Sequence, residues 1–241
     1  MFGANGDHQL MAALCLFMSL NQQLDFGNYS ICKLDKLKAN NNQKNESIDY
    51  LQLLHIQQAL LCYSACFDTI LQIIYFATHI SSDFRTETEY AQELRKVTIT
   101  RIKNALQKQN ESELVPIIEK YYETKRKPIA ETINSFKHRG GISLPTLNNY
   151  IPEIAHCSHV PLTKSSSGRF TCKTPEKLIV MKASWFYPLT KSRTEYLSLL
   201  HEANDIIVNF SIEVLDCLGI TREKVNLKDF SPRITFKTLD K

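Results

Sequence analysis

The sequence predicts a mainly α fold, a bundle of about five helices with a small β-hairpin or irregular insertion before the last long helix. Three observations carry this. From Glu46 to His79, Ile48, Leu51, Leu54, Leu61, Cys62, Ala65, Cys66, Thr69, Ile73 and Phe76 recur at three- and four-residue steps, the period of one helical face. Seven glycines and eight prolines in 241 residues are few for a turn-rich all-β chain. Apolar residues at 43% suffice for a buried core.

The elements follow in order. Residues 8–24 read as a first helix, followed by a loop through "NYSICKLDK" and the Asn-rich "KANNNQKN", which offers little to bury. The stretch Glu46–His79 is the spine, ended by "SSDF". A helix over 86–109 carries Tyr90, Leu94, Val97, Ile102 and Leu106. Residues 112–139 read as one helix starting at Ser112. It breaks or kinks at Lys127-Pro128, because proline lacks an N–H and disfavours helical geometry in the residue before it. Its last piece buries Ile129, Ile133 and Phe136, and Gly140-Gly141 stops it with a left-handed cap. Periodicity is lost over 142–191, where "SSSGR" reads as a turn, "RFTCK" as short and extended, and "KLIVMKASWFY" as a strand. The helical pattern returns at "SRTE", a capping box from Ser192 to Glu195, and runs to Gly219 before a basic tail. The chain thus divides into an N-terminal helix and Asn-rich loop (1–45) and a helical unit (46–241), together one domain.

Charge is unevenly placed. Residues 46–119 hold ten Asp/Glu and six Lys/Arg, whereas 120–193 hold thirteen Lys/Arg and four Glu. Seven cysteines without disulfide rhythm, several inside apolar runs, suit reduced thiols in a cytoplasmic protein. The run "LMAALCLFMSL" follows Asp7 and His8 instead of a basic patch, lacks a small-x-small cleavage site, and at about eleven residues is too short to span a bilayer. The longer apolar stretch over 53–76 carries Gln57, Gln58, Asp68 and Gln72 and reads as a core helix, so no membrane partner is expected.

The basic half contains "ETINSFKHRGGI", residues 131–142. Lys137, His138 and Arg139 crowd a helix C-terminus, where the macrodipole favours positive charge, and that alone accounts for them structurally. Asn134 and His138, four apart, also share a face, and an amide beside an imidazole and cations suits holding a phosphodiester and moving a proton. The arrangement "INSFKH" resembles the HEPN superfamily (higher eukaryotes and prokaryotes nucleotide-binding), whose signature is often R-N-x-x-x-H. Asn134 and His138 match its second and last positions. The helix "HIQQALLCYSACFDTILQIIYF", with its acidic Asp68, adds to the resemblance, which covers about residues 46–218. Where the family has its arginine this chain has Ile133.

The resemblance implies a HEPN-like helical domain that acts on or binds RNA or a nucleotide. It implies a homodimer, with a further protein partner from a prokaryotic toxin–antitoxin or phage-defence system. If the chain cleaves RNA, it does so as a metal-independent endoribonuclease: His138 is the general acid/base, Asn134 orients it, and Lys137 and Arg139 hold phosphate. If Ile133 disables that set, the chain binds without cutting. The alternative from another class is a catalytically inactive helical scaffold or partner-binding module.

Lys125, Arg126 and Lys127, with Arg169 and Lys173 in an excursion that also holds Phe170, Trp185, Phe186 and Tyr187, are candidate RNA or phosphate contacts. The aromatics of that excursion serve equally well as a cap on the bundle. "HCSH" (His156–His159) with Cys172 lacks the paired spacing of a structural zinc site, and Cys62 and Cys66 read as core residues, so neither metal nor cofactor is expected. Nucleotide-binding loops, H-E-x-x-H and nucleophile elbows are missing.

Overall fold

The computed structural model describes residues 7–37, 46–109, 113–138, 141–150, 163–164, 170–171 and 189–219. These hold seven α-helices and very little strand, a mainly α bundle with a small β excursion before the last long helix, in agreement with the sequence.

Helix α1 (His8–Lys36) starts where the Asp7 carboxylate accepts from the Gln9 and Leu10 N–H groups. It does not stop near residue 24. "NYSICKLDK", expected as a loop, is helical, because Gly27 lets α1 lie directly on the Tyr63 ring of the next helix, and Ser30, Ile31 and Leu34 then bury.

Helix α2 (Glu46–Ala77) is the spine, as the periodicity predicts. It runs antiparallel to α1: Gln52 Nε2 donates to Leu37 O at 3.1 Å, Tyr63 Oη to Asn28 Oδ1 at 2.8 Å and Thr69 Oγ1 to Gln23 Oε1 at 3.1 Å. Although α2 is long and apolar enough to cross a membrane, 67% of its most apolar stretch is inside the bundle, as expected of a core helix. Burial pushes the thiol of Cys66 up to about 12, with Cys62 adding to it, which suits a structural cysteine.

The expected single helix over 86–109 is two. Helix α3 (Glu87–Arg95) opens with a Thr86/Glu89 capping box. Helix α4 (Ile99–Lys108) restarts after Thr98, whose hydroxyl accepts from Arg101 N, and buries Ile102 and Leu106. The β-branched Val97 and Thr98 favour this interruption.

The expected 112–139 helix is also divided. Helix α5 (Leu114–Ile118) leads into a π-helical segment, Glu119–Lys125, and then helix α6 (Lys127–His138). Arg126 N–H reaches back five residues to Tyr121 O at 2.9 Å. Pro128 falls in the first turn of α6, where a missing N–H costs little. After α6, Gly141 takes φ +94°, the glycine-favoured region expected at this stop.

Strand β1 (Ile142–Ser143) pairs in parallel with β4 (Leu189–Thr190), while β2 (Thr163–Lys164) pairs antiparallel with β3 (Phe170–Thr171). A short 3₁₀ helix (Pro145–Tyr150) follows β1. The expected turn "SSSGR" and strand "KLIVMKASWFY" lie outside the described residues.

Helix α7 (Arg193–Cys217) has the expected Ser192/Glu195 capping box. Its Tyr196 Oη donates to Leu189 O at 2.7 Å, fastening β4 to the bundle. Leu200, Ala203, Ile207 and Phe210 then bury against the core.

Candidate nucleic-acid interface

Helix α6 has two unlike sides. Ile129, Thr132, Ile133 and Ser135 are buried, and the two hydroxyls are satisfied within the helix: Thr132 Oγ1 donates to Pro128 O at 2.9 Å and Ser135 Oγ to Glu131 O at 3.0 Å. Lys127, Glu131, Asn134 and Lys137 are exposed. Steps of four, three and four residues place 127, 131, 134 and 138 on one stripe.

Ile133 is 4% exposed. The position at which the resembling family carries its arginine therefore faces the core, where an uncompensated guanidinium would cost several kcal/mol, roughly. Residue 138 ends α6, and its side chain, like the whole of Arg139, Arg169 and Lys173, lies outside the described residues. "HCSH" and Cys172 lie outside them as well, and no cluster able to hold a metal ion occurs among the described residues.

The cations before α6 differ from one another. The Arg126 guanidinium lies 4.3 Å from the Tyr122 ring centroid and 5.9 Å from that of Phe67, with an Asp68 oxygen at 3.3 Å. It is committed to holding α6 on α2. The Lys125 ammonium sits 4.7 Å from the Tyr121 ring centroid, and Lys120 Nζ lies 4.6 Å from the same ring and 2.7 Å from Glu213. Burial opposes ionisation of Glu213, but Lys120 and Tyr121 hydrogen bonds and the charge of Lys125 hold its carboxyl below the usual range. Burial, with Asp68 contributing, pushes the Tyr122 phenol up to about 12, so it remains a neutral donor to Asp68 at 2.9 Å.

Lys127 and Lys137 have no ion-pair partner among the described residues. They stand about 15 Å apart along the axis with the Asn134 amide between them. Two solvated cations and a neutral donor and acceptor suit a phosphate backbone. Glu131 is the acid on the same face.

The structure therefore brings Lys127, Asn134 and Lys137 onto one surface and withdraws Arg126 from it. Sequence reasoning missed the roles of Tyr121, Tyr122, Asp68 and Glu213 in anchoring the neighbouring cations. The signal was the adjacency of tyrosines and cations in "KYYETKRK". The class of protein defined is a helical bundle with a basic, amide-bearing helix face. No family model matches the chain, and neither a curated protein nor a solved structure matches it.

Proposed function

We propose that this chain is a HEPN-like RNA-binding protein that holds RNA along the solvent face of α6 and does not cut it. The division of α6 carries this reading: Asn134 and Lys137 are exposed, whereas Ile133 is buried. The family position for the phosphate-gripping arginine is closed, while two cations and an amide stay accessible beside it. Such a surface favours nucleic acid through phosphate contacts, with counterion release supplying most of the affinity and little base preference. His138 and Arg139 enter this reading through the resemblance, and Arg169 and Lys173 through their charge in the sequence. The cytoplasmic setting of this reading rests on the cysteine pattern, and a role in prokaryotic toxin–antitoxin or phage defence rests on the resemblance alone.

Fluorescence anisotropy with a labelled single-stranded RNA, over a series of salt concentrations, tests the proposal. Lys127→Ala/Lys137→Ala should weaken binding and flatten the slope of log affinity against log salt by about 1.4, two single-strand phosphate contacts. An unchanged slope removes α6 from the interface. Incubation of a mixed RNA pool in EDTA tests the second half. Metal-independent cutting that disappears in His138→Ala would make the protein a ribonuclease without the usual arginine.

A further inference from the structure

Helix α2 carries an exposed apolar line in its first half. Tyr50, Leu54 and Leu61, at steps of four and seven, are between 41% and 54% exposed, whereas Ile56, Ala59, Leu60 and Tyr63 on the opposite side are buried. Leu51 widens the line, and Gln58 is the polar side chain within it. It extends over about 17 Å of helix. From Tyr50 to Phe67 the sequence holds no Asp, Glu, Lys or Arg. Exposed apolar residues scattered singly are ordinary, but large ones aligned on one helix form a contact surface.

The line borders the basic face of α6. A further step of seven from Leu61 reaches the exposed Asp68, which accepts from Tyr122 Oη at 2.9 Å and lies 3.3 Å from Arg126, at the foot of α6. Helix α6 packs on α2, and its far end passes through Gly141 into β1, beside β4 and the start of α7. There Arg193 donates to Leu34 O at 2.7 Å, and Leu37 O in turn receives Gln52 of α2 at 3.1 Å. Helix α6 therefore runs back along α2, with Lys127 at the Asp68 end and Lys137 toward Tyr50. Of the acids beside the line, Asp68 is held by Arg126 and Tyr122, while Glu131 of α6 stays exposed.

We propose that this line receives unstacked bases of the strand whose phosphates lie on α6, so that the ligand is single-stranded RNA. The inference rests on the RNA reading of α6 and deepens it. Helix axes packed side by side are about 8–10 Å apart, a span that one nucleotide bridges from phosphate to base. An apolar helix from another protein gains nothing from the cations beside the line. A single strand carries its charge on one edge and its apolar base faces on the other, which matches the two adjacent rows. A duplex keeps those faces stacked inside and has none to offer.

Fluorescence anisotropy with a short oligouridylate and an abasic ribose-phosphate strand of equal length tests the proposal, because the two strands differ only in their bases. The wild type should bind the oligouridylate at least about tenfold more tightly, with the same dependence on salt. Tyr50→Gln/Leu54→Gln/Leu61→Gln should abolish that preference. It should leave binding of the abasic strand, the helical circular dichroism spectrum and Tm unchanged. Equal binding of the two strands by the wild type overturns the inference and leaves the phosphate contacts of α6 standing. A variant that weakens both strands alike overturns it as well. Binding of neither strand removes the RNA reading and this inference together. A preference that survives in the variant, with a wild-type dimer in sedimentation velocity that does not, gives the line to a second copy and overturns the inference.

Discussion

Gly27 of α1 and Tyr63 of α2 approach so closely that a methyl group on Gly27 would lie 2.4 Å from the Tyr63 Cε1. The adjacent Asn28 receives the Tyr63 hydroxyl at 2.8 Å, so the ring is held and cannot swing aside without losing that bond. Gly27→Ala normally favours a helix by about 1 kcal/mol. Here overpacking costs about 1–3 kcal/mol and prevails. Thermal unfolding should show a lower Tm for Gly27→Ala. In a Tyr63→Leu background the same change should be neutral or stabilising, and a double-mutant cycle without coupling would refute the contact.

Glu93 should make stability acid-sensitive. The side chain is buried, and its carboxylate accepts from Tyr75 Oη at 2.8 Å, Lys96 Nζ at 2.5 Å and Ser82 N–H at 3.3 Å. Burial opposes the charge, but the hydrogen bonds outweigh it and hold the carboxyl below its ordinary value. With the folded value depressed, the contribution is complete above the unfolded glutamate pKa of about 4.3 and disappears as pH falls through the folded one. Glu93→Gln should cost about 1–3 kcal/mol at neutral pH in urea unfolding and flatten the acid limb.

Placing at residue 133 the arginine that the resembling family carries should damage the protein. Ile133→Arg places a guanidinium in the core, with an expected loss of about 3 kcal/mol or more and no gain in RNA cleavage. A stable, cleaving Ile133→Arg variant would show that the position can reach solvent.

If α6 holds RNA as proposed, Glu131, exposed on the same side, should weaken the binding. Glu131→Gln is expected to tighten binding by up to about 1 kcal/mol, more at low salt, because it removes an exposed charge that repels phosphate. Arg126→Ala should act differently. It removes the stack on Tyr122 and the pair with Asp68, so Tm should fall more than RNA affinity does. Measuring both quantities for both variants separates surface from anchor.

The parts legible in the sequence were those whose cause is local. The α2 period, the Ser192/Glu195 box and the stop at Gly141 each follow from side chains within one or two turns. The C-terminal half of α1 was not legible, because Gly27, Asn28 and Ser30 have loop-like preferences that packing on Tyr63 overrides. The division between α3 and α4 turns on Thr98 preferring a cap to a helix interior, which a hydrophobic period running through it conceals. Within the candidate site, Asn134 was found by its four-residue spacing from His138, and Lys137 by its place in the basic last turn of the helix. The withdrawal of Arg126 depends on Asp68, fifty-eight residues away in the chain, and no local pattern records it.

The segment Glu119–Lys125 also governs which changes of chain length the protein can absorb. A turn closed by bonds reaching back five residues holds one residue more than its α counterpart. Deleting a single residue there lets the backbone close as ordinary α-helix while Ile118 behind it and Ile129 ahead keep their orientations. The same deletion in the first turns of α6 turns everything after it by about 100°, bringing Asn134 into the buried place of Ile133 and Ser135 outward. A natural variant one residue shorter is therefore expected to have lost it between α5 and α6.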